Sequence, residues 1–179
     1  MSFTGKPQLT TNAPIANDGF WPDLVVGDLV EKYRIPSEYD DGVVETGLKL
    51  AMVRVNKKLS GVKTQAVTPD LECGEIVNLT PKTSLLEWVE SYGDGSTIDG
   101  EPTGIFMYKH AVYCTAKAFL LQQFNTLNRR PQAENMKKEG MDIEQYWLDQ
   151  AQSGISWLVE QVAPCLGSVS NSGVYVALI

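Results

Sequence analysis

IDGEPTGIFMYKHAVYCTAKAFLLQQF, residues 98–124, is a turn that runs directly into an apolar helix. Asp99 and Gly100 supply the turn. Pro102 stands where a first helical residue belongs, because its missing N–H would lack a partner there in any case. Beyond it Ile105, Phe106, Tyr108, Val112, Tyr113, Ala116, Phe119, Leu120, Leu121 and Phe124 fall on nearly every side of a helix. A helix that is apolar all round must be covered by other elements. The pattern predicts a central helix in an all-α protein.

The flanking segments supply its neighbours. A short helix is predicted over 26–34, with Leu29, Val30 and Tyr33 on one face, and Ile35-Pro36 stops it because the residue before a proline disfavours helix. Ser37 reads as an N-cap, with Asp40 three residues on giving a weaker form of the capping box. Val44, Leu48, Ala51, Val55 and Leu59 then form an amphipathic stripe, with Glu45, Lys49, Asn56 and Lys57 opposite it. Ser60-Gly61 is expected to close that helix, glycine suiting a left-handed end. From 62 to 97 the pattern is mixed. Pro69, Gly74 and Pro81 punctuate it, and a short helix is indicated over 84–92 by Leu85, Leu86, Trp88 and Val89.

After the apolar helix, 125–140 is polar and basic-leaning, an exposed connection with Arg129, Arg130, Lys137 and Lys138. Asp142 is expected to cap a last long helix carrying Ile143, Trp147, Ala151, Gly154, Ile155, Leu158 and Val162, which Pro164 ends. The reading is a helical bundle of about four helices. It divides into an extended N-terminal arm (1–19), a helical domain (20–163) and an extended, strand-like C-terminal tail (164–179).

Two stretches stand out as candidate interface. Val174, Tyr175, Val176, Ala177, Leu178 and Ile179 are rich in β-branched types and read as a strand, which needs an edge to pair with. That edge lies either near Glu75-Ile76-Val77 or in a partner. Phe20 and Trp21, at the junction of arm and body, form either a plug against the body or an interface anchor. The candidate interface residues are therefore Phe20, Trp21, Val174, Tyr175, Val176, Leu178 and Ile179.

Composition narrows the function. The 179 residues fit one domain, and a formal net charge of -7 with a pI near 4.7 argues against tight, sequence-blind DNA binding. Such charge leaves open a passage that DNA crosses without sticking. Cys73, Cys114 and Cys165 lie far apart, with no C-x-x-C pair, so a zinc cluster or dithiol is not indicated and a reducing cytoplasm fits. The N-terminus lacks the apolar core of a signal peptide, and no apolar run approaches the ~20 residues of a membrane span. No cofactor and no membrane partner are expected.

Chemistry is sparse. His110 is the single histidine, and it stands four residues before Cys114 on the apolar helix. One reading is a Cys–His nucleophile pair or half a metal site; the other is a structural pair in a core helix. The second is favoured, since no orienting carboxylate or oxyanion turn lies nearby in sequence. A calcium loop starting at Asp94 fails, with Ile98 at the fifth position and Asp99 where glycine is required. No phosphate-binding glycine loop or nucleophile elbow occurs.

Several short pieces, in order, carry a resemblance. They are Phe20-Trp21-Pro22-Asp23-Leu24, Glu31-Lys32-Tyr33-Arg34, Val53-Arg54-Val55-Asn56-Lys57, Ile98-Asp99-Gly100-Glu101, Tyr108-Lys109-His110-Ala111-Val112-Tyr113 and Val176-Ala177-Leu178-Ile179. Together they resemble the head completion (head stabilisation) proteins of contractile-tailed bacteriophages, with a longer 62–97 segment and an N-terminal arm as departures. The resemblance implies a non-enzymatic virion protein located in the neck between head and tail. It implies a homo-oligomeric ring, dodecameric, beneath the portal protein, acting after DNA packaging to retain the genome and to dock the tail. The implied partners are the portal, a tail terminator or other neck protein, and packaged DNA passing through without sequence-specific binding. A small cytoplasmic enzyme using His110 and Cys114, and an intracellular helical adaptor, are the alternatives.

Overall fold

A computed structural model describes residues 13–36, 39–68, 80–93, 95–127 and 134–162, with side chains for all of these but 124–127, 134–141 and 161–162. Within them the protein is all-α. Six helices occur: α1 (Val26–Lys32), α2 (Asp41–Lys58), α3 (Ser60–Val67), α4 (Leu85–Tyr92), α5 (Thr103–Leu127) and α6 (Glu134–Val162). Two miniature antiparallel ladders accompany them, β1 (Pro14–Ile15) with β2 (Leu24–Val25) and β3 (Thr97–Ile98) with β4 (Glu101–Pro102).

Helix α5 is the centre, as its apolar sequence requires. Tyr108, Ala111, Val112, Cys114 and Ala116 are all fully buried. Helices α2 and α6 pack on different sides of it, both antiparallel to it. Asn56 of α2 reaches Tyr108 while Gly47 lies against Leu120; Gly154 of α6 lies against Ala111 while Trp147 reaches Lys117. The predicted α2 stripe is confirmed, with Val44, Leu48, Ala51, Val55 and Leu59 all in the core. Each such aliphatic side chain is worth about 1.5–3 kcal/mol when fully buried. Glycine sets both crossings. A Cβ at Gly47 would stand 3.2 Å from Leu120 Cδ2, and one at Gly154 would stand 3.1 Å from the Met107 carbonyl oxygen.

Several boundaries differ from the sequence reading. Ser37 lies outside the described residues, and α2 is capped by Asp40, whose carboxylate accepts from the Gly42 N–H at 3.0 Å. Gly61 does not end α2. The chain pauses at Leu59 (φ -94, ψ 12) and continues as α3, because Leu59 is buried and Val62 and Ala66 must follow it into the core. No left-handed glycine is needed there. Pro102 lies in β4 rather than in α5, paired with Thr97, so the helix begins one residue later. Asp142 is no cap, since α6 already starts at Glu134 and the connection between α5 and α6 is only 128–133. Polarity alone had suggested a loop there, yet Glu134, Met136, Lys137, Lys138 and Glu139 all propagate helix well. The predicted strand over 174–179 and its edge near 75–77 lie outside the described residues.

The opening turn behaves as its residues dictate. Asp99 (φ 52) and Gly100 (φ 79) are the two central residues of a two-residue hairpin, the left-handed pair that Asp-Gly favours. Glu101, just beyond the turn, pairs with Lys109 one helical face along at 2.5 Å and ties the hairpin to α5.

Helix α1 ends in a Schellman motif: the Ile35 N–H donates to the Val30 carbonyl at 3.1 Å, and Arg34 between them is left-handed at φ 51. That position ordinarily holds glycine, and a side chain there costs about 1 kcal/mol. Arg34→Gly is therefore expected to stabilise the fold by about 0.5–1 kcal/mol and raise Tm by a few degrees in calorimetry.

Candidate interaction surfaces

The junction of arm and body is built around Asn17, Asp18, Phe20 and Trp21. Asp18 folds the backbone over itself: its Oδ1 accepts from the N–H groups of Phe20 (3.1 Å) and Trp21 (3.3 Å). Such side-chain-to-backbone bonds are the reason Asp precedes turns. The fold carries both rings inward. Phe20 is 3% exposed and Trp21 2%; Trp21 stacks on Tyr108 with centroids 5.0 Å apart, and Phe20 meets Trp21 edge to face. Of the two readings made from sequence, the plug is what the structure shows. The rings have almost no surface left to offer a second chain. Val174, Tyr175, Val176, Leu178 and Ile179 lie outside the described residues.

Beneath the plug three polar side chains close a cycle. The Asn17 amide donates to the Tyr108 hydroxyl (2.8 Å), that hydroxyl donates to Asn56 Oδ1 (2.6 Å), and the Asn56 amide donates back to Asn17 Oδ1 (2.9 Å). Burial pushes the Tyr108 hydroxyl well above its ordinary pKa, so it keeps its proton and its donor role. Sequence reasoning passed over this cluster. The Asn17-Asp18-Gly19 run is a turn signal that marks the site of the fold-back, but nothing in it points to Asn56 or Tyr108.

The His110–Cys114 pair is present but not activated. His110 Nε2 lies 3.5 Å from Cys114 Sγ, and the Tyr33 hydroxyl lies 2.9 Å from Nδ1. Burial pushes the Cys114 thiol up to about 12 and lowers His110, so both are held neutral. A nucleophilic cysteine requires the opposite, a depressed thiolate pKa beside a cation or helix N-terminus. The surroundings are aromatic packing: Phe106 stacks on His110, and Tyr33 meets Tyr113 and Trp147. Lys117 extends over the Trp147 ring at 4.4 Å and donates to the Tyr33 carbonyl at the end of α1. Among the described residues no three His, Cys, Asp or Glu side chains come together as metal ligands, and no helix is long and apolar enough to cross a membrane.

The outer surface carries features that a search for a single stripe per helix misses. Val43, Leu50 and Val53 lie on the solvent side of α2, opposite its core stripe, and Ile143 and Tyr146 lie outward on α6. The signal was legible as a second set of apolar residues at seven- and three-residue spacing.

Comparison with known proteins follows the same residues. The family model described as phage head completion protein (GPL) matches residues 15–73 and 91–162. A protein of Haemophilus phage HP1 (strain HP1c1), described as a probable head completion/stabilization protein, is 29% identical over 133 residues, covering 74% of this chain and 78% of the relative. No solved structure matches the chain.

One ion pair anchors the arm to α3, Lys63 Nζ to Asp18 Oδ2 at 2.7 Å. Burial by itself would raise the Asp18 carboxyl, but Lys63 and the Trp21 and Phe20 N–H groups outweigh it and hold the carboxyl below its ordinary 3.8. A depressed carboxyl stabilises the fold above the unfolded value and loses that contribution as pH falls through the folded one. Asp18→Asn is expected to lower Tm at neutral pH and to flatten the Tm decline below pH 3.8, measured by thermal melts against pH.

Proposed function

The chain belongs to the phage head completion protein family, and from that premise we propose that it is a structural ring subunit of the virion neck. In this reading it joins the portal after DNA packaging, helps to retain the genome and presents the docking surface for the tail. The ring is homo-oligomeric, a dodecamer, and its other partner is a tail terminator or further neck protein. No catalytic group and no cofactor take part.

The observation that carries the reading is the extent of the family match. It takes in α1, α2, α3, α5 and α6, the helices that build the body around α5, rather than a short shared motif. Two physical features support it. The body is held by tight glycine crossings and a half-buried hydrogen-bonded cycle, as a load-transmitting part requires. A net charge of -7 suits a passage that lets DNA phosphates move without being held.

Electron micrographs of particles made without this protein should show filled or leaking heads lacking tails. Tailed, infectious particles of normal DNA content would overturn the proposal. Deleting residues 174–179 is expected to leave a soluble chain whose particles contain separate heads and tails, because the apolar terminal segment is suited to adding a strand to a neighbour. Normal joining by the truncated chain would remove the tail from the proposed interface.

A further inference from the structure

Two exposed apolar patches lie on different helices and are flanked by charges of opposite sign. On α2, Val53 is 66% exposed and Leu50 41%, with Val43 about two turns behind Leu50 on the same side. From Lys49 to Lys58 that helix carries four cations and no carboxylate. On α6, Ile143 is 51% exposed and Tyr146 54%. From Asp142 to Glu160 that helix carries four carboxylates and no lysine or arginine. Scattered exposed hydrophobes need no explanation, but here each patch is ordered along one helix, with cations predominating beside Leu50 and Val53 and carboxylates beside Ile143 and Tyr146.

We infer that the α2 face of one copy packs against the α6 face of the next, head to tail, around the ring. The inference rests on the ring reading above and names the faces that would form it. Charge selects the pairing. Two α2 faces together, or two α6 faces, would bring like charges into contact, whereas α2 against α6 sets Lys57, with Arg54 over the Phe119 ring and Lys49 in its pair with Glu45 beside it, toward Asp142 and Asp149. Such a contact is heterologous, because different surfaces meet and each copy keeps one free face for the next.

The geometry also favours closure. Gly47 of α2 lies against Leu120 of α5, and Trp147 of α6 lies under Lys117 of α5, so both patches flank the same level of the central helix. If the ring axis runs along the helices, Leu50 of one copy and Tyr146 of the next stand at similar heights. Rotation without translation closes a ring, while an offset would wind a filament.

The test is disulfide trapping in assembled phage particles. The chain carries Leu50→Cys with Tyr146→Cys, in a background of Cys73→Ser and Cys165→Ser, with the buried Cys114 retained. Oxidation should give a ladder of linked multiples of the chain, and neither single-cysteine chain should give a linked product. Dimers from Leu50→Cys alone would set α2 against α2 and overturn the head-to-tail contact, as would a product linked to a different virion protein. If glutaraldehyde links copies into multiples but the cysteine pair does not, the ring stands and these faces are wrong. If glutaraldehyde links no two copies, the ring reading itself falls, and this inference falls with it.

Discussion

The phenol of Tyr108 is the point on which the body converges. It is fully buried at the crossing of α2 and α5, and a hydroxyl in that position is costly unless its bonds are satisfied. Asn56 and Asn17 satisfy it in a closed cycle in which each side chain both gives and receives. Opening a bond at the Tyr108 hydroxyl would leave that buried group short of a partner, a penalty of about 1–3 kcal/mol. The cycle therefore holds the arm, α2 and α5 in one register. Above it Trp21 stacks on the Tyr108 ring, and the Phe20 carbonyl accepts from the Leu85 N–H at 2.8 Å, so α4 is positioned from the same place.

Apolar pattern carried the fold legibly and local chemistry did not carry its limits. The all-round apolarity of α5 and the stripe of α2 were visible in sequence because burial is a statement about side-chain type and period. The Asp99-Gly100 hairpin was equally visible, since few other dipeptides accept two consecutive left-handed residues. The ends of helices were harder. Gly61 looked like a terminator, but tertiary burial of Val62 and Ala66 outweighed the local preference. Arg34 read as the last residue of the helix predicted over 26–34, yet it lies past the end of α1 in a left-handed position normally held by glycine. The start of α6 was obscured because a polar stretch can be a loop or a good helix, and polarity does not separate them.

The candidate surfaces divide in the same manner. Phe20 and Trp21 were recognisable as important, and which side of the molecule they served was set by contacts 80 to 90 residues away that no local pattern encodes. The His110–Cys114 pair has catalytic spacing without catalytic electrostatics: burial holds both groups in the neutral form, and the aromatic rings around them supply packing rather than charge. The family match and the physical character of the body agree on what remains. That is a structural head completion role, with many of the polar side chains spent on holding helices in place.

The burial of Cys114 has a consequence for the life of the particle. A virion is assembled in reducing surroundings and then released into oxidising ones, where thiolates acquire sulfenic acids or mixed disulfides. A thiol pushed up to about 12 presents almost no thiolate at neutral pH, and solvent does not reach it. For this residue the chemical clock that ages exposed cysteines scarcely runs. The helix at the centre of the protein can thus outlast the cell that made it without an oxidised sulfur swelling inside its tightest packing.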